Sequence, residues 1–233
     1  GVRFLGKGST KDDISDALDV DPDVAVQLVM QQHPEMAKMN ASSVNTIRII
    51  CIILDGESIP LSAVVRIGNS GSRVDNFSSG GVGCGVRPDG HLNDCGYTQK
   101  GERYDVHPNG FVFREGFVPN FDKALEAVKR CHMHVPMFGV ASWDIAIDTD
   151  GEPVLIEYNV GGAGIDIHQY NNGPLYGKYR KRIISEAFKN YAERSATLDF
   201  NYSIAHGEVK LYSGSHAVHD LIIPYSIENH PVR

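Results

Sequence analysis

Ser142-Trp143-Asp144-Ile145-Ala146-Ile147-Asp148, then Thr149-Asp150-Gly151-Glu152, then Pro153-Val154-Leu155-Ile156-Glu157-Tyr158-Asn159, reads as one β-hairpin. Both arms alternate as strands do, and Asp150-Gly151 suits the tight turn between them. With those two residues at the centre of the turn, Asp144 lies directly opposite Glu157 and Ser142 opposite Asn159. Opposed residues have Cβ atoms about 4.5–5.5 Å apart, and like charges at that separation destabilise a sheet. The pairing therefore requires something positive between the two carboxylates. Asp144, Glu157 and Asn159 offer only oxygen ligands, with no His or Cys beside them, which favours Mg2+ or Mn2+ over zinc. Mg2+ commonly takes one or two carboxylates and completes its octahedron with substrate phosphates. The competing reading is an exposed acidic hairpin. Against it, Ile145, Ile147, Leu155 and Ile156 predict a buried strand pair, where charges are seldom left unpaired.

Upstream, Thr46 to Leu54 is almost continuously apolar, the pattern of a central strand covered on both faces. Asp55-Gly56 turns the chain into a second strand, Leu61 to Ile67. Arg48 and Arg66 interrupt these strands. In so apolar a setting Arg48 is read as aimed into a polar site rather than as a strand-edge charge. Gly68 to Gly85 is rich in Gly, Ser and Asn, a composition suited to loops whose backbone approaches a ligand closely. Arg73, Asp75, Asn76 and Phe77 distinguish it from a generic linker.

The remaining elements are read more coarsely. The acidic stretch before residue 20 predicts a short helix, and Val24 to Met30 a strand ended by Gln31-Gln32-His33-Pro34 before a helical turn at Glu35 to Met39. Residues 91–118 read as short strands and turns. Asn120 is expected to cap a helix running through His134, with Leu125, Val128 and Lys129 at helical spacing. His132 and His134, at the end of that helix, are expected on the surface or as partners of the C-terminal dipole. After the hairpin come a second Gly-rich loop, Gly161-Gly162-Ala163-Gly164, and a helical periodicity from Pro174 to Arg194. Runs of β type lie near Leu198 to Ile204 and Val209 to Tyr212.

Composition narrows the function classes. A chain of 233 residues with 42% hydrophobic content can bury a sizeable core as one large domain or two small ones. The net charge of -7, from 22 basic and 29 acidic residues without a Lys/Arg cluster, gives no support to nucleic-acid binding. Cys51, Cys84, Cys95 and Cys131 lack C-x-x-C spacing, which argues against a zinc site or disulfide framework and fits the reduced thiols of a cytoplasmic protein. No apolar run approaches the roughly 18 residues of a membrane span, and no signal-peptide pattern opens the chain. Gly6-Lys7-Gly8-Ser9-Thr10 has a Gly between Lys and Ser and so lacks the Lys-Ser/Thr pair of a P-loop.

Taken together, Asn45-Thr46-Ile47-Arg48, Arg66-Ile67-Gly68, Val74-Asp75-Asn76-Phe77-Ser78-Ser79-Gly80-Gly81, Trp143-Asp144 and Glu157-Tyr158-Asn159 resemble the C-terminal part of the ATP-grasp superfamily. The closest likeness is to its sugar-transfer-associated branch, found with polysaccharide-building enzymes, and runs from about Val24 to Glu193. The D-x12-E-x-N spacing is shared by many ATP-grasp ligases; Ser43 to Arg48 and Val74 to Gly81 narrow it to the branch. The resemblance implies that Asp144, Glu157 and Asn159 hold Mg2+ ions bridging the phosphates of ATP. It implies that Arg48 and Arg66 face those phosphates and the developing acyl phosphate, a task suited to planar, permanently charged guanidinium groups. Gln27, Leu28 and Val29 resemble the hinge strand that holds adenine and ribose, with Gln27 standing where the family has an acid. Arg73 and Asn76 are expected beside the nucleotide. Ser78, Gly80, Gly81, Gly161 and Gly162 resemble the walls of the acceptor pocket.

The implied fold is α+β, a mainly antiparallel sheet flanked by helices and equal to the ATP-grasp large lobe. Residues 24–195 would form that lobe, 1–23 a remnant of the small lobe or a lead-in, and 196–233 a C-terminal extension. Family members carry a pre-ATP-grasp domain and a small lobe ahead of the hinge, so a fragment, a processed form or omitted disordered residues are expected here. The implied function is ATP- and Mg2+-dependent ligation of a small-molecule carboxylate to an amine through an acyl phosphate, on sugar-linked substrates. Two alternatives stay open: kinase-like transfer to a hydroxyl, and a non-catalytic nucleotide-binding module.

Overall fold

The computed structural model describes residues 5–6, 8–19, 27–69, 71–161, 163–186, 201–205, 208–213 and 216–224. Helices α1 (Lys11–Leu18) and α2 (Pro34–Met39) precede a seven-stranded sheet. Its strands are β1 (Ile47–Leu54), β2 (Glu57–Ile67), β3 (Val82–Val86), β4 (Leu92–Thr98), β5 (Arg103–Tyr104), β6 (Val140–Ile147) and β7 (Pro153–Asn159). Their spatial order is β5-β4-β3-β2-β1-β6-β7, and every ladder is antiparallel. Helix α3 (Phe121–Met133) lies between β5 and β6 in sequence, and α4 (Ile165–Asn172) follows β7. Further on, β8 (Asn201–Ala205), β9 (Glu208–Ser213) and β10 (His216–Pro224) form a three-stranded antiparallel sheet. The fold is α+β.

Period-two alternation gives the seven-stranded sheet two unlike faces. Ile47, Ile49, Cys51, Val65, Ile67, Trp143, Ile145 and Ile147 fall on one face and form the main core with α2 and α3. On α3 the buried stripe is Phe121, Ala124, Val128 and His132, the spacing of one helix face. The opposite face carries Thr46, Arg48, Arg66, Asp144, Glu157 and Asn159, with α4 attached to it through Ser62. Strand β1 is the central strand its composition predicts, paired with β2 on one side and β6 on the other. Strand β2 begins at Glu57, earlier than expected, and includes Pro60. The register steps from Ile50↔Ser62 to Cys51↔Pro60, leaving Leu61 as a bulge beside Pro60, which has no N–H to give a ladder.

The β6–β7 hairpin reaches the expected register by a different route. Asp148 N donates to Glu152 O at 3.0 Å and Gly151 N to Asp148 O at 3.0 Å, so the loop has three residues rather than two, with Gly151 at φ 81°. Next to this turn the pairs are Ile147↔Pro153, Ala146↔Val154 and Ile145↔Leu155, one step away from a two-residue register. A bulge at Ile156 takes up that step and restores Asp144↔Glu157, Trp143↔Tyr158 and Ser142↔Asn159. The two departures cancel where the acidic residues sit. Strand β7 is at the sheet edge, so the prediction that both arms are buried holds for Ile145 and Ile147 but not for Leu155 and Ile156, which are 44% and 45% exposed.

Three other expectations are corrected. Asn120 makes no capping bond; at φ 50° it donates Nδ2 to Gly151 O at 2.7 Å and so ties the start of α3 to the hairpin turn. His132 is fully buried, with Nε2 2.8 Å from Phe138 O and its ring against Trp143, whereas His134 is exposed as expected. Gln27 to Met30 form no strand, and Val24 to Val26 lie outside the described residues. The four cysteines are free thiols. Among the described residues, no helix is long and apolar enough to cross a membrane.

Candidate functional site

A network of ion-paired side chains crosses the polar sheet face from β2 to β7. Arg48, on β1, is paired with Asp144 on β6, and Asp144 with Glu157 on β7. Arg48 Nε donates to Asp144 Oδ1 at 2.7 Å and Nη2 to Oδ2 at 2.6 Å, a bidentate contact. Arg66 Nη1 reaches the same Oδ2 at 3.1 Å. Arg48 Nη2 is also 3.9 Å from Glu157 Oε1, and Asn159 Nδ2 lies 3.3 Å from that oxygen. The positive charge that the opposed carboxylates require is therefore present in the protein itself. Asp144, with 1% of its side chain exposed, is buried between two guanidinium groups, while the Glu157 side chain is 57% exposed.

The electrostatics follow from this arrangement. Burial alone would raise the Asp144 pKa, but the hydrogen bonds from Arg48 and the charges of Arg66 and Arg48 outweigh it, and the carboxyl is held below its ordinary value. Burial likewise works against the Arg66 charge, yet bonding to Asp75 and the nearby carboxylates leave its pKa raised. Arg66 stays charged.

Asp75 completes the row and is the partner that sequence patterning did not assign. Its Oδ1 accepts from Arg66 Nη2 at 2.7 Å; its Oδ2 accepts from Arg66 Nε at 3.3 Å, from Thr46 N at 3.0 Å and from the Thr46 hydroxyl. A usable signal was available: a buried strand arginine needs a carboxylate, and Asp75 follows it closely in sequence. Gly81 permits the approach, since a Cβ there would lie 2.9 Å from both Asp75 O and Asn76 O. Gly80, at φ 86°, ends the short 3-10 turn Phe77–Ser79, which contains Ser78. Arg73 and Asn76 are exposed on this same loop.

The second glycine loop flanks Arg48. A Cβ on Gly164, at φ 71°, would lie 3.7 Å from Arg48 Nη1. Gly161 is exposed and Gly162 lies outside the described residues. Beyond Gly164, α4 is latched to the sheet by polar bonds. His168 Nδ1 lies 2.9 Å from Ser62 Oγ, Asn172 Nδ2 donates to Ser62 Oγ at 2.8 Å and to Ala63 O at 2.9 Å, and Gly85 N donates to Asn171 Oδ1 at 3.1 Å. His168 has no exposed surface, and burial, reinforced by Arg48, pushes its pKa down to about 3. No periodicity in this short polar helix marked His168 in advance.

The structure thus gathers Arg48, Arg66, Asp144, Glu157 and Asn159, with Gly164 beside Arg48 and Gly81 against the backbone of Asp75 and Asn76. Gln27, Leu28 and Val29 are irregular exposed chain, Leu28 at 98%, and are not among the bonding partners of the charged row. Of the oxygen donors a hard divalent cation prefers, Glu157 is accessible and Asn159 adjoins it, while Asp144, opposite on the ladder, has both oxygens bonded to arginines. Among the described residues no group of three or more His, Cys, Asp or Glu side chains is arranged to hold a metal ion.

The model of the sugar-transfer associated ATP-grasp family matches residues 10–184. The chain belongs to this family. ATP-grasp proteins generally bind ATP and Mg2+ and carry out ligase-type chemistry. The matched span starts ahead of α1, upstream of the Val24 boundary drawn from short strings, and it includes the whole charged row but not β8–β10. No curated protein and no solved structure matches the chain.

Proposed function

We propose that this ATP-grasp chain ligates a small-molecule carboxylate to an amine, using ATP and passing through an acyl phosphate, on substrates of polysaccharide or cell-surface sugar modification. The observation that carries this reading is the charged row Asp75, Arg66, Asp144, Arg48 and Glu157 on one sheet face, flanked by two glycine loops. Glu157, Asn159 and Asp144 would hold Mg2+, which when bound neutralises charge on the ATP phosphates. Arg48 keeps Nη1 outside its bidentate contact with Asp144 and so has donors left for phosphoryl oxygens. Arg66, bonded to Asp75 and Asp144 at once, positions Asp144. The loops at Ser78, Gly80 and Gly81 and at Gly161 and Gly162 serve the acceptor, with Arg73, Asn76 and the Gln27 to Val29 segment on the nucleotide side.

In the reaction, an acceptor carboxylate oxygen attacks the γ-phosphorus as ADP departs, and the amine then attacks the acyl carbon and expels phosphate. Positioning and charge neutralisation suffice, without a covalent enzyme nucleophile. Incubation with Mg-ATP, candidate sugar acids or amino acids, and hydroxylamine is expected to give substrate-dependent hydroxamate and ADP, both lost in Glu157→Gln. A stable phosphate ester without hydroxamate would favour transfer to a hydroxyl. ATP binding without turnover across the acceptor panel would favour a non-catalytic module.

A further inference from the structure

The two arginines of the charged row are held very differently. Arg66 is bonded to Asp75 through Nε and Nη2 and to Asp144 through Nη1, so both sides of its guanidinium are fixed. Among the described residues Arg48 is hydrogen-bonded to Asp144 alone, with Glu157 Oε1 at 3.9 Å. Its Nη2, 2.6 Å from Asp144 Oδ2 and 3.9 Å from Glu157 Oε1, is near both of the carboxylates that a shared cation would have to reach. Mg2+ binds oxygens at about 2.0–2.1 Å, so an ion on Asp144 Oδ2 competes with Nη2 for that oxygen. A guanidinium held that close to a dication would also be strongly repelled.

We propose that Arg48 is an exchangeable internal counter-ion: it neutralises Asp144 and Glu157 when no cation is bound, and it leaves Asp144 when one arrives. This rests on the cation site proposed above. Asp144 tolerates the exchange because Arg66 Nη1 remains on Oδ2. Arg48 has somewhere to go because Gly164, beside its Nη1, presents no side chain. The guanidinium thereby turns from Asp144 toward the glycine loop, and Nε and Nη2 join Nη1 as donors to phosphate oxygens once the cation has bound. A nucleotide arriving with its metal satisfies both partners of the broken pair, whereas a free cation satisfies only one. Cation binding without nucleotide is therefore weak in the native protein.

The test uses Mn2+ alone as the probe, with the full chain and no nucleotide, reading free Mn2+ by electron paramagnetic resonance. Arg48→Met is expected to bind Mn2+ at least about tenfold more tightly than the native protein, since 1.4 kcal/mol of lost competition is tenfold. Adding Glu157→Gln to Arg48→Met should remove the gain. Equal or weaker binding by folded Arg48→Met overturns the exchange while leaving the ligase reading intact. No Mn2+ binding by either protein, with or without ATP, overturns the cation site as well. If Arg48→Met does not fold, hydrogen exchange at the Arg48 Nε–H of the native protein decides: release predicts faster exchange at high Mg2+, and an unchanged rate refutes it.

Discussion

Arg66 bridges two buried carboxylates, with Nη2 2.7 Å from Asp75 Oδ1 and Nη1 3.1 Å from Asp144 Oδ2. Removing it would leave, among the described residues, Asp75 bonded to Thr46 and Asp144 bonded to Arg48. Breaking a buried ion pair from one side typically costs about 3–5 kcal/mol, because the remaining charge stays desolvated. Arg66→Met is expected to lower unfolding stability by that order in chemical denaturation. Arg48→Met should cost less, since Asp144 retains Arg66. A larger loss for Arg48→Met than for Arg66→Met would contradict the assignment of anchor and exchangeable partner.

Gly81 and Gly85 hold the two sides of the site by what they lack. A Cβ at Gly81 would press on Asp75 O and Asn76 O, and one at Gly85 would overlap the Asn172 and Asn93 amides that latch α4. Overpacking of this kind costs about 1–3 kcal/mol. Gly85→Ala should loosen α4, seen as faster amide exchange across Ile165–Asn172. Gly81→Ala should instead disturb the Asp75–Arg66 pair and leave α4 exchange unchanged.

Buried His168 makes stability depend on pH. Its pKa falls from 6.5 to about 3 on folding, so between those values the unfolded chain takes up a proton that the folded chain does not. Stability is therefore lost as pH drops from about 6.5 toward 3, at up to about 1.4 kcal/mol per pH unit. His107 and His132, whose values burial also lowers, act in the same direction. Asp144, lowered from 3.8, keeps its contribution above that value and loses it as pH falls through its folded pKa. Unfolding free energies measured from pH 7 to 4 should show a shallower slope in His168→Gln than in the native protein; parallel slopes would show that His168 is not held neutral.

Glu157 and Asp144 differ in exposure, and their neutral variants should separate function from stability. Glu157 is exposed, so Glu157→Gln is expected to change stability by no more than about 0.5 kcal/mol while weakening Mg2+-dependent nucleotide binding in titration calorimetry. Asp144→Asn faces two guanidinium groups with a neutral amide and should lose about 3 kcal/mol or more of stability as well. Equal stability losses in the two variants would refute this division.

Much of the site was legible because strand pairing converts spacing into proximity. Asp144, Glu157 and Asn159 could be placed on one face from alternation and an Asp-Gly turn, and Arg48 stood out as a charge in an apolar strand. The detail beneath that result was not legible. A three-residue loop and a bulge at Ile156 each move the register by one, and no local preference reveals two compensating irregularities. His132 was misplaced for a related reason: its polarity suggested the surface, but its position on the α3 stripe and an acceptor at Phe138 O allow it into the core.

The sequence by itself determined the two-faced sheet, since period-two alternation dictates which side chains share a face wherever a strand forms. It also determined the family through the strings around Arg48, Asp75, Asp144 and Glu157. Only the tertiary structure decided what neutralises the opposed carboxylates. Hairpin pairing predicts that Asp144 and Glu157 need a positive charge but carries no information about residues nearly a hundred positions away. Packing β1 between β2 and β6 delivers Arg48 to Asp144, and the folded loop after β2 delivers Asp75 to Arg66. Long-range ion pairs depend on where strands and loops meet in space, a property of topology rather than of local pattern.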